Sequence, residues 1–275
     1  MEKFNNILEV ATQIAYEAGE IVRDGFGQPQ DVTFKGEVNP VTETDRASEA
    51  HIVQRLREAF PDHHILAEEE GGDALHTPVA IWIIDPVDGT NNFAHSFPHI
   101  GISIALVVEG EPRVGVIYDP LRDELFAAQR GDGATLNGDP IHVSTLTRLA
   151  ESFLATGFPY DRRVAEDNNV SRFDHFLRRS QGVRRAGAAV LDLAYVACGR
   201  FDGFWERGLS PWDVAAGILI IQEAGGWVTD FEGTPLPLEG EQIVASNGAI
   251  HEAMLRVIRE GSGAPHPDLE PDQAL

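Results

Sequence analysis

Trp82-Ile83-Ile84-Asp85-Pro86-Val87-Asp88-Gly89-Thr90-Asn91-Asn92-Phe93 is the stretch on which the reading of this chain turns. It starts as an apolar, β-prone run long enough for a buried strand. Asp85-Pro86 is expected to end that strand, because proline has no N–H to give a central ladder. Two carboxylates, Asp85 and Asp88, then precede Gly89-Thr90, where a bare backbone can turn and offer its amides. Carboxylates beside free amides point to a metal ion next to an anion. A second strand, Ile65-Leu66-Ala67, ends the same way, delivering Glu68-Glu69-Glu70 ahead of Gly71-Gly72.

Upstream, Phe4, Ile7, Leu8, Ala11, Ile14, Ala15, Ala18, Ile21 and Val22 keep the i, i+3, i+4 spacing of an amphipathic helix, which Gly25-Phe26-Gly27 stops. Residues 32–40 read as an irregular polar segment carrying Lys35. A second helix is expected from Thr42 to the stop at Pro61, with Ala47, Ala50, Val53, Leu56 and Phe60 on its apolar face. Downstream, β-rich runs at 100–108, 113–118 and 124–128 are separated by turn residues and predict an antiparallel meander, with Asn137-Gly138 as a hairpin signal. After Ser144 helix and strand alternate. Strands are expected at 153–156, 201–205, 227–229 and 243–246, and helices at 164–179, 188–198, 211–224 and 249–259.

The chain has 275 residues, enough to bury a large core. It is read as two packed halves, 1–145 and 146–260, followed by a Pro-, Gly- and Asp-rich tail, 261–275, expected to be disordered. With 21 basic against 44 acidic residues the formal charge is −23, which repels nucleic acid and anionic membrane and favours cations. No apolar run reaches the roughly 18 residues that span a bilayer, and the N-terminus lacks a basic-then-apolar leader. The single Cys198 excludes an internal disulfide and a cysteine-based zinc cluster. The expected setting is cytoplasmic.

Hydrolysis of a phosphate ester needs neutralised phosphate oxygens, an activated water and a stabilised leaving oxygen. Clustered carboxylates holding Mg²⁺ meet those needs, since that ion takes hard oxygen ligands, and Asp85, Asp88 and Glu68 have the right chemistry. Each residue also has a plainer reading: the three glutamates as a solvated loop, Lys35 as a surface lysine. Thr42-x-x-Asp45 and Ser210-x-x-Asp213 have the pattern of capping boxes, so both aspartates could simply begin helices. Val87 stands where an EF-hand would need an oxygen side chain. No phosphate-binding G-x-x-x-x-G-K-S/T, no G-x-S-x-G and no paired-histidine zinc motif occurs.

Asp85-Pro86-Val87-Asp88-Gly89-Thr90-Asn91-Asn92-Phe93 and Pro211-Trp212-Asp213-Val214-Ala215-Ala216-Gly217, the latter with Glu223-Ala224-Gly225-Gly226, resemble the two signatures of the inositol monophosphatase family. Glu68-Glu69, Thr42-x-Thr44-Asp45, Asn137-Gly138 and Gly187-Ala188-Ala189 fall in the family's order, so the resemblance runs from about residue 4 to 260. It implies an α+β fold, a layered αβαβα sandwich with a large antiparallel sheet in the N-terminal half and a smaller mixed sheet in the C-terminal half. It also implies a homodimer, lithium sensitivity and Mg²⁺-dependent hydrolysis of a phosphate monoester, foremost inositol 1-phosphate.

Residue by residue, the resemblance implies that Glu68, Asp85 and the Val87 carbonyl bind a first Mg²⁺, that Asp85, Asp88 and Asp213 bind a second, and that a weaker third sits by Glu68. Thr90 with Asp45, together with Glu68, would activate water, the Gly89 and Thr90 amides would hold phosphate, and Lys35 would approach it. The alcohol half would meet Asp88, Gly187, Ala188, Ala189 and Glu206. Glu206 suits a polyol hydroxyl better than a second phosphate. Asn92-Phe93 resemble the inositol-directed branch of the family. Ala188 replaces the family's usual hydroxyl residue, which implies a broad polyol- or sugar-phosphate specificity. Histidinol phosphate and fructose 1,6-bisphosphate are the competing substrates, and a catalytically silent metal-binding regulatory protein is the reading from another class.

Overall fold

The N-terminal period forms helix α1 (Glu2–Gly25), whose Ala11, Ile14, Ala15, Ala18 and Val22 are buried. The structure is a computed structural model that describes residues 2–29, 33–34, 40–69, 71–72 and 80–261. Lys35, Glu70 and the tail from 262 lie outside the described residues. Part of the segment expected to be irregular pairs as an antiparallel ribbon of β1 (Thr33–Phe34) and β2 (Pro40–Val41). Helix α2 (Glu43–Ala59) begins at the Thr42 cap, but Ala47 and Ala50 are exposed. Its buried face carries Asp45, Ser48 and Glu49 before Ile52, Val53 and Leu56. The face is polar where the helix meets the candidate site and apolar where it meets the core.

There follow β3 (His64–Ala67), β4 (Gly71–Gly72), β5 (Ile81–Asp88), the single turn α3 (Thr90–Ala94), β6 (Gly101–Val108), β7 (Glu111–Asp119), β8 (Glu124–Gln129), β9 (Ala134–Leu136) and β10 (Asp139–Ile141). These strands form one sheet in the order β10-β9-β8-β7-β6-β5-β3-β4. The sheet is antiparallel except for the parallel pair β3–β5. Asn137 and Gly138 both take positive φ between β9 and β10, as a two-residue hairpin turn requires.

The expected strand end at Asp85-Pro86 is corrected by the structure: β5 passes through Pro86 and regains its pairing at Asp88–Gly101, with a shift of register between Asp85 and Asp88. Proline is tolerated there because a bulge leaves a residue unpaired, and because β3 has already ended opposite Ile84, so no second strand calls for its N–H.

The second sheet is built from β11 (Phe153–Thr156), β12 (Gly182–Arg184), β13 (Gly203–Arg207), β14 (Trp227–Thr229) and β15 (Gln242–Ser246), ordered β12-β11-β13-β15-β14 with parallel and antiparallel pairs. Between these strands lie α4 (Val170–Leu177), α5 (Ala189–Ala197) and α6 (Pro211–Glu223), and α7 (His251–Glu260) ends the fold. The helix expected at 164–179 is only the eight residues of α4. It is cut short because Asn169 takes a left-handed conformation and gives its side chain to Trp205, Thr156 and Gly157. Strand β12 carries no apolar alternation and is set by its neighbour β11.

The layers follow from the two-residue period of β5. Trp82 and Ile84 pack with α1 and α2, whereas Ile81 and Ile83 pack with α5 and α6. Helix α6 has every residue from Val214 to Ile221 buried, as befits a helix apolar all round and held between two sheets. On the far side of the small sheet, Phe176 of α4 stacks on Trp205 with ring centroids 3.9 Å apart, beside Met254, Leu255 and Ile258 of α7. The order is thus α1 and α2, large sheet, α5 and α6, small sheet, α4 and α7: the αβαβα sandwich expected.

Candidate active site

The parallel register of β3 and β5 pairs Ala67 with Ile84, so Glu68, just past the end of β3, and Asp85, still within β5, follow side by side where that pairing stops. The bulge then gathers the next groups. The Val87 N–H donates to Asp85 Oδ1 at 3.0 Å, and Asp88 Oδ2 accepts the Val190 N–H at 2.8 Å, reaching the start of α5. Asp213, on α6, arrives from the other half of the chain. Carboxylate oxygens of Asp85, Asp88 and Asp213 lie within 4.8 Å of one another.

Three carboxylates so close and so little hydrated cannot all stay ionised unaided. Burial, followed by the charges of Glu68, Asp88 and Asp213, holds Asp85 well above the usual carboxylate range. Asp88 is raised well above that range too, by burial and then by Asp213. Asp213 is pushed up to about 6, chiefly by burial, against the Ser210 N–H bond that pulls it down. The donors are carboxylates and a backbone carbonyl, with no sulfur or imidazole among them, which is the donor set of a hard divalent cation. A cation supplies the positive charge that the cluster lacks, so the residues fit one.

Both capping boxes are present, and each aspartate does more than cap. Asp213 Oδ2 accepts the Ser210 N–H at 2.7 Å while the carboxylate joins the acidic cluster. Asp45 Oδ2 accepts the Thr42 N–H at 2.9 Å and the Thr42 hydroxyl, and Oδ1 accepts the Thr90 hydroxyl at 2.9 Å. A carboxylate has two oxygens, and the fold uses them separately. Asp45 is buried, and burial raises its proton affinity in spite of those bonds. The Thr90 Oγ1 is also 3.1 Å from the Val87 carbonyl. With one proton to give, the hydroxyl must choose between them.

Gly89 starts α3 with φ of 89°, and a Cβ there would meet the His99 carbonyl at 3.0 Å, so both conformation and space call for glycine. Asn92 Nδ2 donates to the His99 and Ala186 carbonyls at 2.8 and 2.9 Å, clipping α3 to the turn before α5. Phe93 is core, edge-on to Phe26. These two residues therefore act as scaffold here.

The acidic cluster, Thr90 and the start of α5 border one cavity of about 410 Å³. Glu68, Asp85, Val87, Asp88, Gly89, Thr90, Gly187, Ala188, Ala189, Glu206 and Asp213 line it. Asp45 stands behind Thr90, and Lys35 lies outside the described residues. Glu206 is half-buried against Gly157, where a Cβ would fall 2.0 Å from its carboxylate. Burial, then Asp192 and Asp213, hold Glu206 well above the usual carboxylate range, while Arg185 pulls the other way.

Sequence reasoning missed several groups at or behind the site. Asp192 is buried, lines the cavity and sits 3.6 Å from His99 Nε2; the available signal was a lone acid in the apolar run 188–197. Glu49, one turn after Asp45 on α2, accepts the Glu69 N–H at 2.8 Å and so steadies the glutamate loop. Arg185 lines the cavity from the turn before α5.

A family model described as "Inositol monophosphatase family" matches residues 4–262. The chain belongs to this family. It is 47% identical over 252 residues to an inositol-1-monophosphatase of Synechocystis, covering 91% of this chain and 88% of that protein. It is also 44% identical over 265 residues to a protein named Nus factor SuhB of Pseudomonas aeruginosa, covering 92% and 96%. Among solved structures, the inositol monophosphatase from Anabaena superposes with a TM-score of 0.85 at 45% identity, over 94% of this chain and 96% of that one. As a member of a metal-dependent family this chain carries a cluster of three acids able to hold a metal ion. Among the described residues no helix is long and apolar enough to cross a membrane.

Proposed function

We propose that the cavity hydrolyses a phosphate monoester, most readily inositol 1-phosphate, with Mg²⁺ bound by both halves of the chain, 1–145 and 146–260. One observation carries the reading: a cluster of Asp85, Asp88 and Asp213 carboxylates beside a Thr90 hydroxyl bonded to buried Asp45. Glu68, Asp85 and the Val87 carbonyl would hold one ion, and Asp85, Asp88 and Asp213 a second, with a weaker third by Glu68. When bound, the ions supply positive charge to the phosphate oxygens, to the attacking water and to the leaving alkoxide.

The protein's own groups then do the following. Val87 would offer its carbonyl to the cation, and Asp45, which already accepts the Thr90 hydroxyl, would be the acceptor for the Thr90 proton, freeing the Thr90 oxygen to take a proton from water. Water gives its proton to Thr90 as Thr90 gives its own to Asp45, a relay favoured by the raised proton affinity of that buried carboxyl. Glu68 orients the same water. The new P–O bond forms as the ester P–O bond breaks, and the departing oxygen takes a proton from solvent. The amides of Gly89 and Thr90 hold the phosphate, and Lys35 is assigned an approach to it by family resemblance. Asp88, Glu206 and the backbone at Gly187, Ala188 and Ala189 receive the alcohol.

Histidinol phosphate and fructose 1,6-bisphosphate compete as substrates for the same core. The Nus-factor name of some relatives keeps a regulatory reading in view, but every proposed metal position carries an oxygen ligand here, which favours catalysis. The homodimer and the cytoplasmic setting belong to the same proposal. Phosphate release from these three substrates, with Mg²⁺ and then with chelator, tests it. No hydrolysis of any of them by the Mg²⁺-loaded protein rejects the enzymatic reading.

A further inference from the structure

Two arginines line the cavity, Arg162 in the loop after β11 and Arg185 in the turn before α5. A Cβ placed on Gly187 would meet Arg185 Nη1 at 2.7 Å and the Asn92 amide at 3.4 Å, so the guanidinium flanks the α3 turn. Arg185 is exposed, and among the described residues it has no ion-pair or hydrogen-bond partner. Its charge still reaches Asp192 and Glu206. An arginine kept to neutralise Glu206 would be paired with it; this one is held out at the rim while Glu206 lies deeper.

Charge decides what such a rim can take. Glu68, Asp85, Asp88 and Asp213 belong to the cations, which leaves Glu206 and Asp192, the latter 3.6 Å from His99 Nε2, with the charge of Arg185 opposed to both. The repulsion that Glu206 alone would impose on a second anion is thereby reduced. A guanidinium offers a planar fork of donors matched to phosphate and carboxylate oxygens. We propose that Arg185 is a specificity-determining residue that recognises a second anionic group on the alcohol half of the substrate, with hydroxyls nearer the phosphate reaching Glu206. This rests on the phosphatase reading above.

The test compares kcat/KM for fructose 1,6-bisphosphate and for inositol 1-phosphate in the wild type, Arg185→Ala and Arg185→Lys, all with Mg²⁺. The ratio of bisphosphate to inositol phosphate should fall about tenfold in Arg185→Ala, mainly through KM, as expected for one lost charge-assisted contact. Arg185→Lys should recover part of it, and added salt should lower the ratio more in the wild type than in Arg185→Ala. Equal losses on both substrates, or a loss confined to inositol 1-phosphate, would overturn the assignment. So would a wild type that turns over inositol 1-phosphate but not the bisphosphate. A wild type that hydrolyses neither removes the phosphatase reading, and this proposal with it.

Discussion

Asp213→Asn separates the two duties of that residue. Asparagine keeps an oxygen for the Ser210 N–H, so the cap at α6 loses at most a few tenths of a kcal/mol. What disappears is the charge. In the metal-free protein the Asp213 carboxyl is raised from 3.8 to about 6, which corresponds to a charge penalty on the order of 2 kcal/mol once screening of a half-buried group is allowed for. Its folded value lies above its unfolded one, so the associated stability is fully present below pH 4, falls as pH rises through about 6, and is absent above that. At pH 7.5 in chelator, Asp213→Asn should therefore melt higher than the wild type, by about 3–6 °C for a chain of this size. Adding Mg²⁺ should reverse the order, because the ion stabilises the wild type by mass action and the variant much less. Phosphate release should drop by a factor of about 100 or more. Thermal melts in chelator and in Mg²⁺, each at pH 5 and 7.5, read all of this. A variant that melts lower than the wild type in chelator and gains as much from Mg²⁺ would show Asp213 to be a cap alone.

Thr90→Ala should lower kcat by about 100-fold with little change in KM, and Thr90→Ser should restore most of it; an unchanged kcat would rule out the proton relay. Glu206→Gln should raise KM for inositol 1-phosphate more than for an aryl phosphate, which has no hydroxyls to bind, and equal effects would count against Glu206 as a polyol ligand. Gly157→Ala forces the flexible end of Glu206 aside rather than any backbone, so it should change stability by less than about 1 kcal/mol while weakening inositol 1-phosphate binding. Asn92→Ala breaks the bonds to the His99 and Ala186 carbonyls and should destabilise the protein by about 1–3 kcal/mol in urea melts. No loss would mean that water replaces the clip.

Local signals were readable where the chain's own period or turn chemistry decides structure. The spacing of α1, the meander β6 to β8 and the Asn137-Gly138 turn are of that kind. Reading failed where a neighbour decides. Pro86 marks a strand end only if strands flank it on both sides, and here β3 stops first. Ala47 and Ala50 look like a buried face until Ser48 and Glu49 are found inward, held by the Pro86 carbonyl and the Glu69 N–H. The shape of the 160–169 loop depends on Asn169, whose side chain is committed to distant residues.

The sequence by itself determined the acids of the stretch 82–93, the glycine that follows them and the family to which the chain belongs, because each rests on residue identity at short spacing. By their local pattern Asp45 and Asp213 were legible only as helix caps, and only the family resemblance gave them a place in the site. Their approach to Thr90 and to Asp85 and Asp88 is a matter of tertiary structure: α2 and α6 start at the cluster from opposite faces of the large sheet, bringing charges together whose mutual repulsion no short stretch of sequence reveals. The same holds for Arg185, a surface arginine by sequence, which only the packing of α3 against the turn before α5 brings to the rim of the cavity.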